Sequence, residues 1–378
     1  MPIKLDRYVA EFPVTQSCVY LNHAAVSPLP RRVHEAMIGL LTDVHQFGSA
    51  HWNRWLEAYA TVRRAAAQLL HAEPGEIAFC KNTSEGISLF ANGLDWNPGD
   101  EVVSIEGEFP ANYYPWKRLE GKGVNLRLVK QEGGRVSLDA IAATITPRTR
   151  VLAVSFVQYL SGFRLNLEQL GALCADRGVL FFVDAIQGLG AFPLDVKRAR
   201  IAGLAADGHK WLLGPEGSAI FFVGQDALER IRPTTVGWMS VRGWNDFSTR
   251  ELVWREDARR FESGSLNTAG IYGLGAALDL LREVGVSNIS ERILALTARL
   301  RQGLRQRGYE IFGPALDEEC SGIVSLHPRK RDAESLARLL ASRGVQVAAR
   351  GGKVRVSPHF YNAEQEIDRV LDELTTVD

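Results

Sequence analysis

The chain has little of what marks an unusual environment. Its 378 residues include only four cysteines, Cys18, Cys80, Cys174 and Cys320, far apart and without C-x-x-C spacing. In a chain long enough to bury its own core they read as reduced thiols, which points to the cytoplasm. Neither they nor the eight histidines cluster at metal-ligand spacing, so no structural zinc is expected. Charge of one sign is missing too. Lys plus Arg and Asp plus Glu both number 44, leaving no electrostatic footprint for nucleic acid or an anionic membrane. No apolar run approaches the roughly 20 residues that span a bilayer. The opening MPIKLDRYVAEF carries interspersed charges and lacks the apolar stretch of a secretory signal. There is no tandem repeat or low-complexity tract. A small-molecule ligand is what these absences leave.

What is present is a globular composition, 46% hydrophobic and 23% charged, at a length that suits two or three domains. A helix carrying Val33, Met37, Leu40, Leu41 and Val44 comes before any expected strand. From about residue 76 to 223, short apolar runs alternate with amphipathic segments. Strands are predicted at Ile77–Cys80, Glu101–Ile105, Asn125–Val129, Val151–Phe156, Val179–Val183 and Ser218–Val223. Asn166–Arg177 reads as a helix behind an Asn166 cap, with Leu167, Leu170 and Leu173 on one side. Nearly all-apolar strands separated by helices indicate an α/β fold with a mostly parallel sheet covered on both faces. After residue 255 the pattern becomes α+β: helices at Thr268–Leu281, Ser287–Gly308, Asp332–Ser342 and Glu364–Thr375, strands near Gly322–Leu326, Gly344–Ala348 and Lys353–Val356. The expected division is a large domain over 18–255, a connecting helical segment over 256–284, and a small domain from 1–17 and 285–378.

Three stretches carry candidate chemistry. In Val179-Leu-Phe-Phe-Val-Asp184-Ala-Ile-Gln187 an apolar strand runs straight into an acid. At the carboxyl end of a parallel strand Asp184 would stand at the ligand crevice, although a helix cap would read the same way. In Ala206-Asp-Gly-His-Lys210-Trp-Leu-Leu-Gly-Pro-Glu-Gly217 a single lysine sits in a glycine-punctuated turn. Partial desolvation there would lower its pKa and free the amine to attack a carbonyl, whereas on a surface loop it would do nothing. In Lys81-Asn-Thr83-Ser84-Glu-Gly86 hydroxyls meet a helix start, which suits either phosphate or ordinary capping. Together the three supply what pyridoxal 5′-phosphate (PLP) chemistry needs: a lysine for the Schiff base, an acid for the pyridine nitrogen and a helix end for the phosphate.

The sequence resembles the class V aminotransferases, fold-type I PLP enzymes that include cysteine desulfurases and isopenicillin N epimerase. The likeness runs from Tyr20-Leu-Asn-His-Ala-Ala25 to Ser357-Pro-His-Phe-Tyr-Asn362 and includes the DAIQ and GHKW elements in order. It implies that Lys210 is the Schiff-base lysine, that Asp184 pairs with the pyridine nitrogen and that Gln187 lies near the phenolic oxygen. It places Thr83, Ser84 and His209 with the cofactor, and Asn22, His23 and Arg355 with the substrate, Arg355 taking its carboxylate. Ser265 would reach the phosphate of a neighbouring subunit, so the resemblance implies a homodimer with shared active sites.

The sequence also departs from that family. Val347-Ala-Ala-Arg350-Gly-Gly-Lys353 has no cysteine where desulfurases carry their nucleophile, which argues against persulfide formation. Phe109 replaces a ring-stacking histidine and Tyr159 an asparagine near the phenolic oxygen. Asp207 replaces a phosphate-contacting serine, so it must turn away or pair with a cation, or else the alignment is off by one residue. The reading favoured on these grounds is transamination of a small amino acid through an external aldimine and a quinonoid, with Lys210 performing both proton transfers. Epimerisation, C–S or C–C lysis, and non-catalytic ligand binding are the alternatives.

Overall fold

The structure, a computed structural model, describes residues 5–248 and 250–378. The first four residues of the expected small-domain segment lie outside these. In chain order, β1 (Val19–Tyr20) precedes two long helices, α1 (Arg31–Phe47) and α2 (Trp52–Leu70). There follow β2 (Ile77–Cys80), helix α3 (Thr83–Gly93), β3 (Glu101–Ile105), β4 (Asn125–Val129), β5 (Thr149–Ser155), β6 (Leu180–Asp184), β7 (Gly203–Asp207) and β8 (Ala219–Val223). The last seven strands form one sheet in the order β2-β8-β7-β6-β5-β3-β4. Every neighbour pair from β7 through β4 is parallel, and β8 runs against both β7 and β2. This is the mostly parallel fold-type I sheet.

Alternate residues of each strand enter different cores. Val103, Leu152, Val154, Phe181, Val183 and Leu204 join one cluster, and Val102, Val151, Ala153, Phe182 and Ala205 join the other. That alternation explains the unbroken apolar runs, since both faces are covered. Strand β7 is not legible in the sequence, because Gly-Leu-Ala-Ala-Asp lacks the branched and aromatic residues that mark strands. Packing requires those small residues: a Cβ on Gly203 would lie 2.5 Å from the ring of Phe90.

The C-terminal region holds a four-stranded antiparallel sheet, ordered β12-β13-β10-β9, from β9 (Ile311–Phe312), β10 (Val324–Leu326), β12 (Ala348–Arg350) and β13 (Lys353–Val356). Helices Val286–Gln306, Ala333–Ser342 and Glu364–Val377 pack around a separate core with this sheet. Val19 and Tyr20, assigned by sequence to the large domain, instead pair in parallel with β11 (Val345–Gln346), and Asn22 bridges to Ser357. The N-terminal segment is therefore stitched to the C-terminal unit before it enters the large domain. No helix among the described residues is long and apolar enough to cross a membrane.

Candidate active site

A cavity of about 400 Å³ opens at the carboxyl ends of β5, β6 and β7. It gathers Thr83, Ser84, Phe109, Tyr159, Asp184, Gln187, Asp207, His209, Lys210 and Arg355, residues that lie far apart in sequence. A larger cleft of about 990 Å³ lies elsewhere, along Lys130–Ile141 and Phe163–Leu170, and holds the Arg135–Glu319 ion pair.

Asp184 ends β6 and is 1% exposed. Its Oδ1 accepts from the Ile186 amide at 3.1 Å, but its Oδ2 has no hydrogen-bond partner. Burial raises its pKa well above the carboxylate range, helped by nearby Glu108 and opposed by the Ile186 amide and Lys210. A buried carboxylate oxygen with no donor, facing a cavity, calls for a cationic N–H from a ligand.

The turn after β7 carries Lys210, 9% exposed. Its backbone is pinned from the N-terminal segment: the Ser27 hydroxyl donates to the Lys210 carbonyl at 2.6 Å and the Ser27 amide to that of His209 at 2.8 Å. Burial lowers the amine's pKa, against the pull of Asp184, and the guanidiniums of Arg355 and Arg350 act in the same direction as burial. The Phe109 ring, centred 5.6 Å from Lys210 Nζ, covers the amine.

At the helix end, α3 is capped by Asn82, whose side chain accepts from the Glu85 amide at 2.9 Å. Ordinary capping is thereby assigned to Asn82 and not to Thr83 or Ser84. The Thr83 hydroxyl accepts from the Asp207 amide at 3.0 Å, tying α3 to the end of β7. Gly86 permits the approach, since a Cβ there would lie 2.7 Å from that of Ala205. Asp207 lines the cavity with its carboxylate held at the turn: Oδ1 accepts from the Gly208 amide at 2.7 Å, and Oδ2 lies 3.0 Å from His209 Nδ1, without a hydrogen bond between them.

Gln187 is held at both ends, donating to the Ala24 carbonyl at 2.9 Å and accepting from Trp211 Nε1 at 2.8 Å. Arg355, 2% exposed, donates from Nη1 to the Tyr159 carbonyl at 2.8 Å and keeps Nε without a partner. Burial pushes its pKa down to about 10, and Arg350 adds to that. Tyr159 and Phe109 meet edge to face, ring centroids 5.3 Å apart.

Three expected residues lie outside the lining. His23 is fully buried behind it, Nδ1 donating to the Ser357 carbonyl and Nε2 accepting from the Tyr361 hydroxyl, both at 2.8 Å. Nothing of the ring is left for substrate. Asn22 lies outside the cavity beside it, and Ser265 is exposed, away from its own chain's cavity. In the loop beyond β8, Trp238 packs against Trp244, and neither lines the cavity.

Two features escaped the sequence reading. Arg350 lines the cavity. Glu108, also buried, accepts from the Ser155 amide at 2.7 Å, the Ser155 hydroxyl and Gln158 Nε2 at 2.9 Å, fixing the loop that carries Phe109 to the end of β5. The Gly351-Gly352 pair was the available signal for Arg350, since a hairpin turn there puts Arg350 and Arg355 on one wall.

The family model Aminotransferase class-V matches residues 19–370. The chain belongs to that family. A probable cysteine desulfurase of Methanothermobacter thermautotrophicus is 30% identical, over 97% of this chain and 96% of its own. An uncharacterized aminotransferase, YcbU, of Bacillus subtilis is 27% identical over 98% and 97%. The apo cysteine desulfurase of Thermococcus onnurineus superimposes with a TM-score of 0.91 at 25% identity, covering 100% and 98%. The cystine C–S lyase C-DES, solved with its product cysteine persulfide, gives 0.90 at 25%, covering 96% and 99%. The cofactor of this chain is accordingly PLP. The cavity fits it: Asp184 Oδ2 lacks a donor, Lys210 is a desolvated amine, and α3 begins beside Thr83 and Ser84.

Proposed function

We propose that the chain is an aminotransferase acting on a small amino acid. The observation that carries this reading is the set of nucleophiles and bases around the cavity: the lysine amine lies within it, and none of the four cysteines lines it. PLP, when bound, supplies the aldehyde that captures the amino group and the ring that withdraws electrons from Cα. Asp184 Oδ2 would hold the ring nitrogen, and Thr83 and Ser84 the phosphate. Arg355 orients the α-carboxylate with its free N–H groups. Lys210 Nζ, its pKa lowered by burial, would take the proton from the substrate Cα and deliver it to the cofactor carbon on the same face. Phe109 covers that amine and offers no proton of its own; inversion at Cα would need a second base opposite Lys210, for which Tyr159 is the candidate in the lining.

A second reading, elimination of a sulfur leaving group, is favoured by the relatives named as cysteine desulfurases and by the cystine C–S lyase likeness. It would use the same lysine and needs no cysteine from the protein. One experiment separates the two. Purified protein should be yellow and bleach with borohydride, and Lys210→Ala should not be reducible. Incubated with an amino-acid panel, the wild type should give pyridoxamine phosphate. A substrate that instead releases a sulfur product or loses its chirality, with no pyridoxamine phosphate from any amino acid, would sink the aminotransferase reading.

We also infer a homodimer. Helix α1 exposes Ile38, Leu41, Val44 and Phe47, and the loop beyond β8 exposes Val236, Trp238, Phe247 and Leu252. Apolar surface of this kind is expected to be covered by a partner. Ser265 would then serve the partner's site. Light scattering at micromolar concentration tests this, and a monomer would refute it.

A further inference from the structure

The cavity holds two guanidiniums, Arg350 and Arg355, both on the β12–β13 hairpin, where a single α-carboxylate requires one; the cofactor phosphate would sit on another element, at the start of α3. The charged lining comprises Asp184, Asp207, Lys210, Arg350 and Arg355, with His209 beside Asp207. Asp207 accepts from the Gly208 amide and lies beside His209, Asp184 offers Oδ2 to the cofactor, and Lys210 is committed to the reaction. Two guanidiniums remain, and the hydrogen bonds they make within the chain go to neutral carbonyls: Arg355 to that of Tyr159, Arg350 to that of its neighbour Ala349 at 3.0 Å.

Their arrangement is set by the β12–β13 hairpin. Ala348 lies opposite Arg355 and Arg350 opposite Lys353, so Arg350 and Arg355 are diagonal neighbours on one face. Such neighbours have Cβ atoms about 7–8 Å apart, within mutual reach of two long side chains on one short ligand. They differ in depth, Arg355 buried on the wall and Arg350 exposed at the rim. Lys353, across from Arg350, does not compete, because its Nζ sits 4.3 Å from the centre of the Phe312 ring. Two like charges converging on one cavity repel until anions come between them.

We propose that Arg350 is a specificity residue that selects amino acids bearing a second anionic group, carboxylate or sulfinate, on a short side chain, while Arg355 takes the α-carboxylate. This rests on reading the cavity as the amino-acid site of a PLP enzyme and names the substrate class for it.

The test is titration of the holoenzyme, following the cofactor absorption spectrum, with L-aspartate, L-glutamate and L-cysteine sulfinate against L-asparagine and L-glutamine. The acids should bind at least about tenfold more tightly than the amides, as a charge-assisted guanidinium contact supplies. Aspartate against cysteine sulfinate shows which anion is preferred. In Arg350→Ala and Arg350→Gln the preference should fall to about one, with PLP content, measured by alkaline release, unchanged. Arg350→Lys should keep part of it, and Arg355→Ala should weaken acids and amides alike. A wild type without preference for acids, or a preference that survives Arg350→Ala, overturns the proposal. A colourless wild type would overturn the cofactor reading instead, and calorimetry with aspartate and asparagine would still measure the selectivity.

Discussion

Two clusters of buried polar groups lie back to back on Trp211, and they differ in one respect. On the cavity side Trp211 Nε1 donates to Gln187, next to Asp184 and Arg355, each of which keeps a buried atom without a partner. Behind it, the Trp211 carbonyl accepts from His359 Nε2 at 3.2 Å, and His23, His359 and Tyr361 hydrogen-bond to one another or to backbone. Both clusters are desolvated. What distinguishes the ligand side of Trp211 from the other is unused hydrogen-bonding capacity facing a cavity. Residue type misleads here: His23, chemically the more versatile group, belongs to the structural cluster.

That contrast can be broken from either side. Asp184→Ala should lower amino-acid turnover by on the order of 10³-fold, the scale of losing a charge-stabilising group. It should leave the stability of the cofactor-free protein unchanged or raised, because a carboxylate buried without a full set of partners is removed; urea denaturation measures this. His23→Ala should do the reverse. Loss of its ring strands the Tyr361 hydroxyl and the Ser357 carbonyl and opens a cavity, for a destabilisation of roughly 3–4 kcal/mol, with the absorption spectrum of bound PLP unchanged.

The pH dependence of stability should carry the same signature. Burial pushes the His23 pKa down to about 4, against its hydrogen bond to Ser357, while the unfolded chain keeps the ordinary value of 6.5. Between these values the unfolded state binds more protons, so stability falls as pH is lowered through the window. The His23 contribution amounts to about 3 kcal/mol at its acid end. The stability gap between wild type and His23→Ala should therefore narrow from pH 7 to pH 4, and a constant gap would show that His23 is not held neutral. The smallest effect is expected at Asp207→Asn, which removes the carboxylate charge 3.0 Å from His209 Nδ1 while leaving an oxygen to accept from the Gly208 amide. PLP affinity, measured by fluorescence quenching, should drop about fivefold, with turnover at saturating PLP nearly unchanged.

The sequence was informative wherever burial on both faces forced a compositional signature. The strands around Asp184 announce themselves by apolar runs ending in a polar residue, and Lys210 by a polar turn among apolar neighbours. It was silent where shape decided. Strand β7 is built from small residues because Phe90 lies against it, and the Gly351-Gly352 turn signals a hairpin but not the cavity into which its diagonal carries Arg350. Nor does the motif around His23 show which way its ring faces. That is settled by Tyr361 and Ser357, more than three hundred residues away.

The segment from Val19 to Ser27 has a mechanical consequence. It pairs with β11, bridges to Ser357 at the end of the arginine strand, and then clasps the Lys210 turn through Ser27. Arg355 and Lys210 are thus moored to one length of chain, as two boats to a single rope. A substrate that draws the arginine toward the lysine must carry this tether along, which favours a short sliding adjustment over a wide swing of one unit away from the other.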